Sequence, residues 1–167
     1  MKRENAGGVG DYDDAFSLVP TASGFRTILS LATQLDMLTD HVDISQAFVQ
    51  GEPFPGDGHN GNVYISAPPG YKEDHLNVYR FLKSLYGMPS AARAWHTTIS
   101  AFLQRKGCET VGFEKSIWKV TIDGHCILLR AHIDDFVLAC TNQQVLDAFR
   151  KHLLDTSDGT YQGPLEH

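Results

Sequence analysis

Two adjacent aspartates, Asp134 and Asp135, lie between two apolar runs, and this pair constrains the fold more than any other feature of the sequence. The runs, residues 126–129 and 136–140, have the length and composition of core strands. Neighbouring carboxylates at the junction of two buried strands repel each other and lose hydration unless water or a cation reaches them. The pair therefore predicts a strand–turn–strand unit whose turn meets solvent, and a divalent cation is a suitable partner there.

The composition indicates an intracellular globular protein without a membrane segment. The 167 residues are 42% hydrophobic and 20% charged, which suits one domain or a piece of a larger one. No apolar stretch reaches the roughly 20 residues that span a bilayer, and the N-terminus lacks the apolar segment of a signal peptide. The net charge of −6 argues against a broad basic surface for nucleic acid. Cys108, Cys126 and Cys140 lack metal-site spacing and are expected to be reduced core thiols.

Hydrophobic periodicity predicts a mixture of helices and strands. The predicted helices are residues 21–37, 89–106 and 142–154, and the predicted strands are residues 38–44, 63–65, 78–81, 117–122, 125–131 and 136–140. Asp123-Gly124 between two strands is a strong hairpin signal. This order predicts an α+β fold with a mainly antiparallel sheet and helices packed on one of its faces. Residues 1–10 are expected to form a disordered lead-in, and residues 11–167 to form the domain.

Asp43, at the end of the predicted strand 38–44, is the candidate for a third acid in the cluster. Metal-assisted phosphoryl chemistry uses two cations roughly 3.5–4 Å apart and needs carboxylates from separate elements. The alternative is that Asp43 is an ordinary strand-end acid and that Asp134-Asp135 is an ordinary solvated turn. For an arbitrary Asp-Asp dipeptide that alternative is the more frequent one.

Five segments, in order along the chain, form a series of motifs. They are residues 11–17, 42–51, 63–71, 83–95 and 131–135. The second resembles the segment D-V-x-x-A-F-L-x-G of copia-like LTR retrotransposon reverse transcriptases, the third resembles their V-Y-M-x-x-P-P-G-F, and the fifth stands where they have Y-V-D-D. The ordered matches run from residue 11 to about residue 140. The chain therefore resembles a fingers-and-palm fragment of such a reverse transcriptase, part of a Pol polyprotein.

The resemblance implies an RNA-directed DNA polymerase that uses two-metal nucleotidyl transfer. Asp43, Asp134 and Asp135 would be its catalytic acids, and the same residues with the backbone carbonyl of Ile44 would hold two Mg²⁺ ions, or Mn²⁺. Magnesium prefers oxygen ligands and is usually shared with substrate phosphates. The primer 3′-hydroxyl would attack the α-phosphate of the incoming nucleotide.

The resemblance also implies nucleotide-binding residues, which are Ala47, Phe48 and Ser90. A ring at Phe48 would lie beneath the incoming sugar and collide with a 2′-hydroxyl, although an aromatic core filler is an equally open interpretation. Ser90 stands where the family has a glutamine. Tyr86 and Trp95 are expected to be packing residues.

The implied partners are an RNA/DNA template-primer, deoxynucleoside triphosphates, and the remaining Pol segments, namely the thumb, ribonuclease H and integrase. The implied location is cytoplasmic and associated with a virus-like particle, with no membrane. His132 replaces the tyrosine of Y-V-D-D, and the thumb, connection and ribonuclease H parts are expected to lie outside this chain. An alternative is a non-catalytic relic or interaction module that keeps the palm fold. A third reading, an unrelated metal-dependent phosphohydrolase, is disfavoured by the ordered motifs.

Overall fold

Four helices and eight strands occur in the residues that the computed structural model describes, which are 22–51, 64–67, 70, 78–88, 91–112 and 114–165. The helices are α1 (Ala22–Gln34), α2 (Ala47–Gln50), α3 (Ala91–Arg105) and α4 (Gln143–Thr156). The strands are β1 (Leu38–Ile44), β2 (Tyr64–Ser66), β3 (Val78–Arg80), β4 (Glu109–Val111), β5 (Glu114–Ile122), β6 (His125–His132), β7 (Asp135–Cys140) and β8 (Gly159–Pro164). The predicted lead-in at residues 1–10 lies outside the described residues.

Six strands form one sheet in the order β4-β5-β6-β7-β1-β8, and β2 pairs with β3 separately. The described strand pairings are all antiparallel. Asp123 and Gly124 connect β5 to β6 with φ of 51° and 79°, so the predicted hairpin is present with both central residues at positive φ, as a type I′ turn requires. The strand order places the end of β1 beside the start of β7.

The two faces of the sheet pack against different helices. On one face, Trp95 of α3 and Leu146 of α4 join Phe136 in the larger core. On the other face, Ile28 of α1 joins Val137 in a smaller core. The α+β class with an antiparallel sheet is confirmed, but the expected placement of the helices on one face is corrected. Because the residues of β7 are apolar on both faces, the sheet needs a helix on each side to keep them from water.

The end of β1 is braced by β8, whose first residue is a glycine. A Cβ atom on Gly159 would lie 2.7 Å from the backbone oxygen of Asp43 and 2.8 Å from Cδ1 of Ile44. The backbone N–H of Ser45 donates to the carbonyl of Asp158 at 2.8 Å, and that of Asp158 donates to Gln50 Oε1 at 2.9 Å. These contacts fix the segment that leads from β1 into α2.

The cysteines are free thiols, as expected, but they are not all in the core. Cys108 and Cys140 are buried, whereas Cys126 is exposed because it faces outward from β6. Burial raises the pKa of the Cys108 thiol to about 11, so this thiol stays protonated at neutral pH. Among the described helices, none is long and apolar enough to cross a bilayer.

Candidate active site

The pairing of β1 with β7 brings the three predicted acids to one end of the sheet. Asp43 lies directly opposite Asp135 in the antiparallel register, and the backbone N–H of Ile44 donates to the carbonyl of Asp134 at 2.8 Å. Directly opposed residues in an antiparallel pair share a face, with Cβ atoms about 4.5–5.5 Å apart. The backbone therefore brings Asp43 next to both members of the Asp-Asp pair, as the sequence predicts.

The carboxylates of Asp43 and Asp134 act on the same neighbouring phenol, that of Tyr86. Burial raises the pKa of Tyr86, the negative charges of Asp134 and Asp43 raise it further, and a hydrogen bond with the backbone of Ala47 lowers it. The Tyr86 hydroxyl is therefore an electrostatic neighbour of both carboxylates. The Tyr86 side chain is 55% exposed, so this cluster opens to solvent.

Asp135 differs from the other two acids because it has a protein partner. His41 Nε2 lies 3.1 Å from Asp135 Oδ1, and both side chains are partly exposed. Within the part of the chain that the structure describes, the carboxylates of Asp43 and Asp134 have no hydrogen-bond or ion-pair partner. His132 is paired with Asp135 across the hairpin, and its buried Nδ1 has no hydrogen-bond partner. The cluster thus contains two open carboxylates and one engaged carboxylate.

The open carboxylates fit the magnesium ions that the motif series implies. Among the described residues, no group of three or more His, Cys, Asp or Glu side chains is arranged to hold a metal ion. Magnesium, however, is commonly held by only one or two carboxylates and completes its shell with water and substrate phosphates. Asp43 and Asp134 are the residues that could provide oxygen donors for such an arrangement. Ile44 lies at the same strand end, and its N–H is already bonded to Asp134.

The predicted nucleotide-binding residues have different environments. Phe48 is partly buried against the larger core, and its ring lies 4.6 Å from that of Tyr86 between centroids, tilted by 52°. The ring therefore both fills space and lies beside the phenol that neighbours the two open acids. Ala47 is fully buried, and its backbone is hydrogen-bonded with Tyr86, so it supports the neighbouring residues and is not itself exposed to a ligand. Ser90 lies outside the described residues.

Sequence reasoning missed the contributions of His41, Tyr86 and Trp95 to this site. Tyr86 packs against Phe48 as expected, but more than half of it is exposed beside the acids. Trp95 is buried as expected, but its Nε1 also donates to the carbonyl of Ile133, the residue before Asp134. His41 could have been found from strand periodicity, because residues two apart on β1 share a face. No local pattern identifies the roles of Tyr86 and Trp95, because both depend on tertiary contacts.

Comparisons with known proteins identify the family of this chain. The chain is 26% identical over 160 residues to the retrovirus-related Pol polyprotein from transposon TNT 1-94 of Nicotiana tabacum, covering 93% of this chain and 12% of the relative. It is 30% identical over 152 residues to the retrovirus-related Pol polyprotein from transposon RE2 of Arabidopsis thaliana, covering 87% of this chain and 9% of the relative. No solved structure gives a significant match. The family described as reverse transcriptase (RNA-dependent DNA polymerase) matches residues 5–167, and the chain therefore belongs to that family.

Proposed function

We propose that this chain is the fingers-and-palm part of a copia-type Pol protein and that it carries the acids for RNA-directed DNA synthesis. The observation that supports this proposal most is the pairing of Asp43 opposite Asp135 with the Ile44 N–H bonded to the Asp134 carbonyl. Asp43 and the Asp134-Asp135 pair, which are far apart in sequence, thereby lie at the same end of the sheet. Two carboxylates without a partner in the described part of the protein, beside a solvent-exposed phenol, suit a reaction in which the substrate phosphates complete the ligands of a metal ion.

In the proposed reaction, the primer 3′-oxygen forms a bond to the α-phosphorus of a deoxynucleoside triphosphate, and the bond from that phosphorus to the pyrophosphate oxygen breaks. Asp43 and Asp134 would hold two Mg²⁺ ions, with the Ile44 carbonyl as a further ligand and Asp135 beside them. When bound, such ions supply positive charge that favours the ionised hydroxyl and neutralises the phosphates. The hydrogen bond between Ile44 and Asp134 keeps the two open acids in register, and catalysis rests on that fixed arrangement.

Selection of deoxynucleotides is assigned to Phe48. Its ring is supported from one side by Tyr86 and from the other by the core, so it cannot easily move away from a 2′-hydroxyl. Ala47 would contribute indirectly, through the hydrogen bond of its backbone with Tyr86, and Ser90 is assigned to nucleotide binding by the resemblance alone. The Phe48→Ala variant should therefore incorporate ribonucleotides more readily.

The partners of the proposed polymerase are an RNA template with its primer, and the thumb, ribonuclease H and integrase segments of a Pol protein. The chain spans 12% and 9% of the two Pol relatives, and its net charge is −6. Duplex phosphates need clustered Lys and Arg, so most of the grip on nucleic acid is assigned to the other segments. Assembly in a cytoplasmic virus-like particle follows from the same proposal.

Calorimetric titration of Mg²⁺ and Mn²⁺ tests the metal part of the proposal. The parent should bind both ions, Asp43→Asn and Asp134→Asn should each lose at least about tenfold in affinity through the missing ligand, and the surface variant Asp155→Asn should match the parent. Absence of binding in the parent, or unchanged binding in Asp43→Asn, would overturn the site.

Primer extension separates a working polymerase from a relic. The chain, joined to the Pol segments that are assigned the grip on nucleic acid, is incubated with an oligo(dT) primer on poly(rA), Mn²⁺, and either dTTP or UTP. Extension with dTTP that Asp134→Asn abolishes and Phe48→Ala widens to UTP is the expected result. Metal binding without extension would favour the alternative of a non-catalytic module.

A further inference from the structure

We propose that Trp95 is a positioning residue that holds the turn before Asp134 in a strained conformation and so sets the direction of the Asp134 carboxylate. This inference rests on the proposed function, because it assigns Trp95 a role toward the metal-binding acids. It concerns the turn of Ile133 and Asp134 between β6 and β7. The turn is strained, two hydrogen bonds resist that strain, and Trp95, the donor of one of them, is rigidly held.

The turn contains a residue in an unfavourable backbone conformation. Ile133 has a φ of 55°, in the left-handed region that β-branched residues rarely adopt. Another two-residue hairpin of the sheet, between β5 and β6, has Asp123 and Gly124 at its positive φ positions, residue types that tolerate such angles. The Ile133 turn therefore tends to relax toward other conformations unless surrounding contacts hold it.

Two hydrogen bonds hold the peptide groups on either side of Asp134. The carbonyl of Ile133, which precedes Asp134, accepts from Trp95 Nε1. The carbonyl of Asp134 itself accepts from the Ile44 N–H at 2.8 Å. With both flanking peptide groups anchored, the direction of the Asp134 Cα–Cβ bond is fixed relative to β1. The second bond links the acids to each other, whereas the first links them to α3.

The donor is part of a rigid element. The Trp95 side chain is 2% exposed and belongs to the larger core. The backbone of α3 also approaches α2 closely, since a Cβ on Gly51 would lie 3.1 Å from the Trp95 nitrogen. Indole Nε1–H can only donate a hydrogen bond, so its sole polar group serves the turn. A buried ring on a packed helix is a suitable fixed point for a strained loop.

Trp95→Phe tests the proposal because it removes the indole N–H and keeps an apolar ring, with Trp118→Phe as the matched control. Without metal, hydrogen exchange of the Ile44 amide should become about five- to tenfold faster in Trp95→Phe, the equivalent of about one lost hydrogen bond, and stay at the parent rate in Trp118→Phe. Mn²⁺ affinity should fall by a similar factor. Unchanged Ile44 exchange in a folded Trp95→Phe overturns the proposal.

The Ile133→Gly background separates positioning from simple packing. Glycine accepts positive φ without strain. When residue 133 is glycine, Trp95→Phe should therefore lower the Mn²⁺ affinity, and raise the exchange rate of the Ile44 amide, by less than about twofold. An equal loss in both backgrounds would mean that Trp95 acts through packing alone. If the parent binds no Mn²⁺, the proposed function fails at its metal site, while the metal-free exchange data still decide the role of Trp95.

A measurement on the parent protein covers the case in which Trp95→Phe does not fold. The exchange of the Trp95 indole N–H is followed by NMR, with its signal assigned by Trp118→Phe. Strong protection of this proton, lost together with that of the Ile44 amide as denaturant is raised, supports a shared opening of the turn. An unprotected Trp95 indole proton overturns the proposal.

Discussion

Two acids on the same strand, Asp40 and Asp43, have opposite environments. Asp40 is 3% exposed, accepts a hydrogen bond from Tyr161 Oη at 2.9 Å, and forms an ion pair with Arg150. Asp43 is partly exposed and, among the described residues, its carboxylate has no such partner. A buried carboxylate needs compensation from the protein, whereas an open one is available to an external cation. Strand β1 thus combines a structural acid with a candidate ligand.

The Asp40 cluster joins three elements. Arg150 comes from α4, Tyr161 from β8 and Asp40 from β1. Arg150 Nη2 also donates to Asp147 at 2.6 Å, and its guanidinium lies 4.0 Å from the centroid of the Tyr161 ring. Every charge in this cluster has a partner, and the geometry is closed. At the other end of β1, the carboxylates of Asp43 and Asp134 are partly exposed and have no such partner among the described residues.

The largest difference in the free energy of unfolding is expected between Asp40→Ala and Asp43→Ala. Asp40→Ala leaves the partly buried Arg150 guanidinium without its main partner and should lower the free energy of unfolding by about 3 kcal/mol. Asp43→Ala removes clustered negative charge and should leave stability within about 0.5 kcal/mol of the parent, or raise it. Urea unfolding in EDTA measures both. Equal losses in the two variants would break the comparison.

A smaller effect is expected from Tyr161→Phe. The change removes one hydrogen bond to a charged acceptor and keeps the ring over Arg150, so the free energy of unfolding should fall by about 1.5 kcal/mol. Urea unfolding of the single and double variants measures the coupling. In the Asp40→Ala background the same change should cost almost nothing, and a full cost there would contradict the assigned contact.

The alkaline side of the stability profile provides a second check on Tyr161. Burial raises the pKa of Tyr161, and its hydrogen bond to Asp40 and the charge of Asp40 raise it further. A raised folded pKa stabilises the protein below the unfolded value of about 10, and this contribution is lost as pH rises through the folded pKa. The parent should therefore lose stability above about pH 10, and Tyr161→Phe should lack that component. Parallel profiles for the two proteins would argue against it.

The next effect is a difference in stability between the alanine variants of Asp134 and Asp135. Asp135 has His41 at 3.1 Å, and this partly exposed pair is worth about 0.5 kcal/mol. In EDTA, Asp135→Ala should therefore be slightly less stable than Asp134→Ala, which should equal or exceed the parent. The difference should vanish in the His41→Ala background. Thermal unfolding of the parent, of the two single variants, and of the two variants in the His41→Ala background measures the difference.

The smallest effect is spectroscopic. The charges of Asp134 and Asp43 raise the pKa of Tyr86 in addition to burial, so Asp134→Asn or Asp43→Asn should lower that pKa, while Asp155→Asn should not. Ultraviolet titration of the tyrosinate band, with Tyr86→Phe to assign it, follows the change. An unmoved Tyr86 titration would place the acids farther from the phenol than the structure does.

Much of the fold could be predicted from local pattern. The bounds of β1, Leu38–Ile44, match the predicted strand 38–44, and the Asp123-Gly124 hairpin is where the sequence indicates. Apolar periodicity and turn residues act within a few positions along the chain, so they are visible in sequence. The convergence of Asp43 with Asp134 and Asp135 was also expected, first from the position of Asp43 at the end of a predicted strand and then from the motif series.

The rest depends on contacts that no local pattern encodes. β8 contains Gly159, Gly163 and Pro164, residues that disfavour strands in isolation, and it is a strand because β1 pairs with it. The Asp40–Arg150 pair joins residues on β1 and α4, and neither residue type indicates the other. The role of Trp95 arises likewise from the approach of α3 to the β6–β7 turn. Long-range geometry, not composition, determines these features.

The lack of space at Gly159 has a consequence for how this domain tolerates sequence change. Even a methyl group there would overlap the main chain at Asp43, so β8 and β1 would be pushed apart and the strand that carries the Asp43 carboxylate would lose its support. A mutational scan for polymerase activity should thus rank a residue without any functional group alongside the acids themselves.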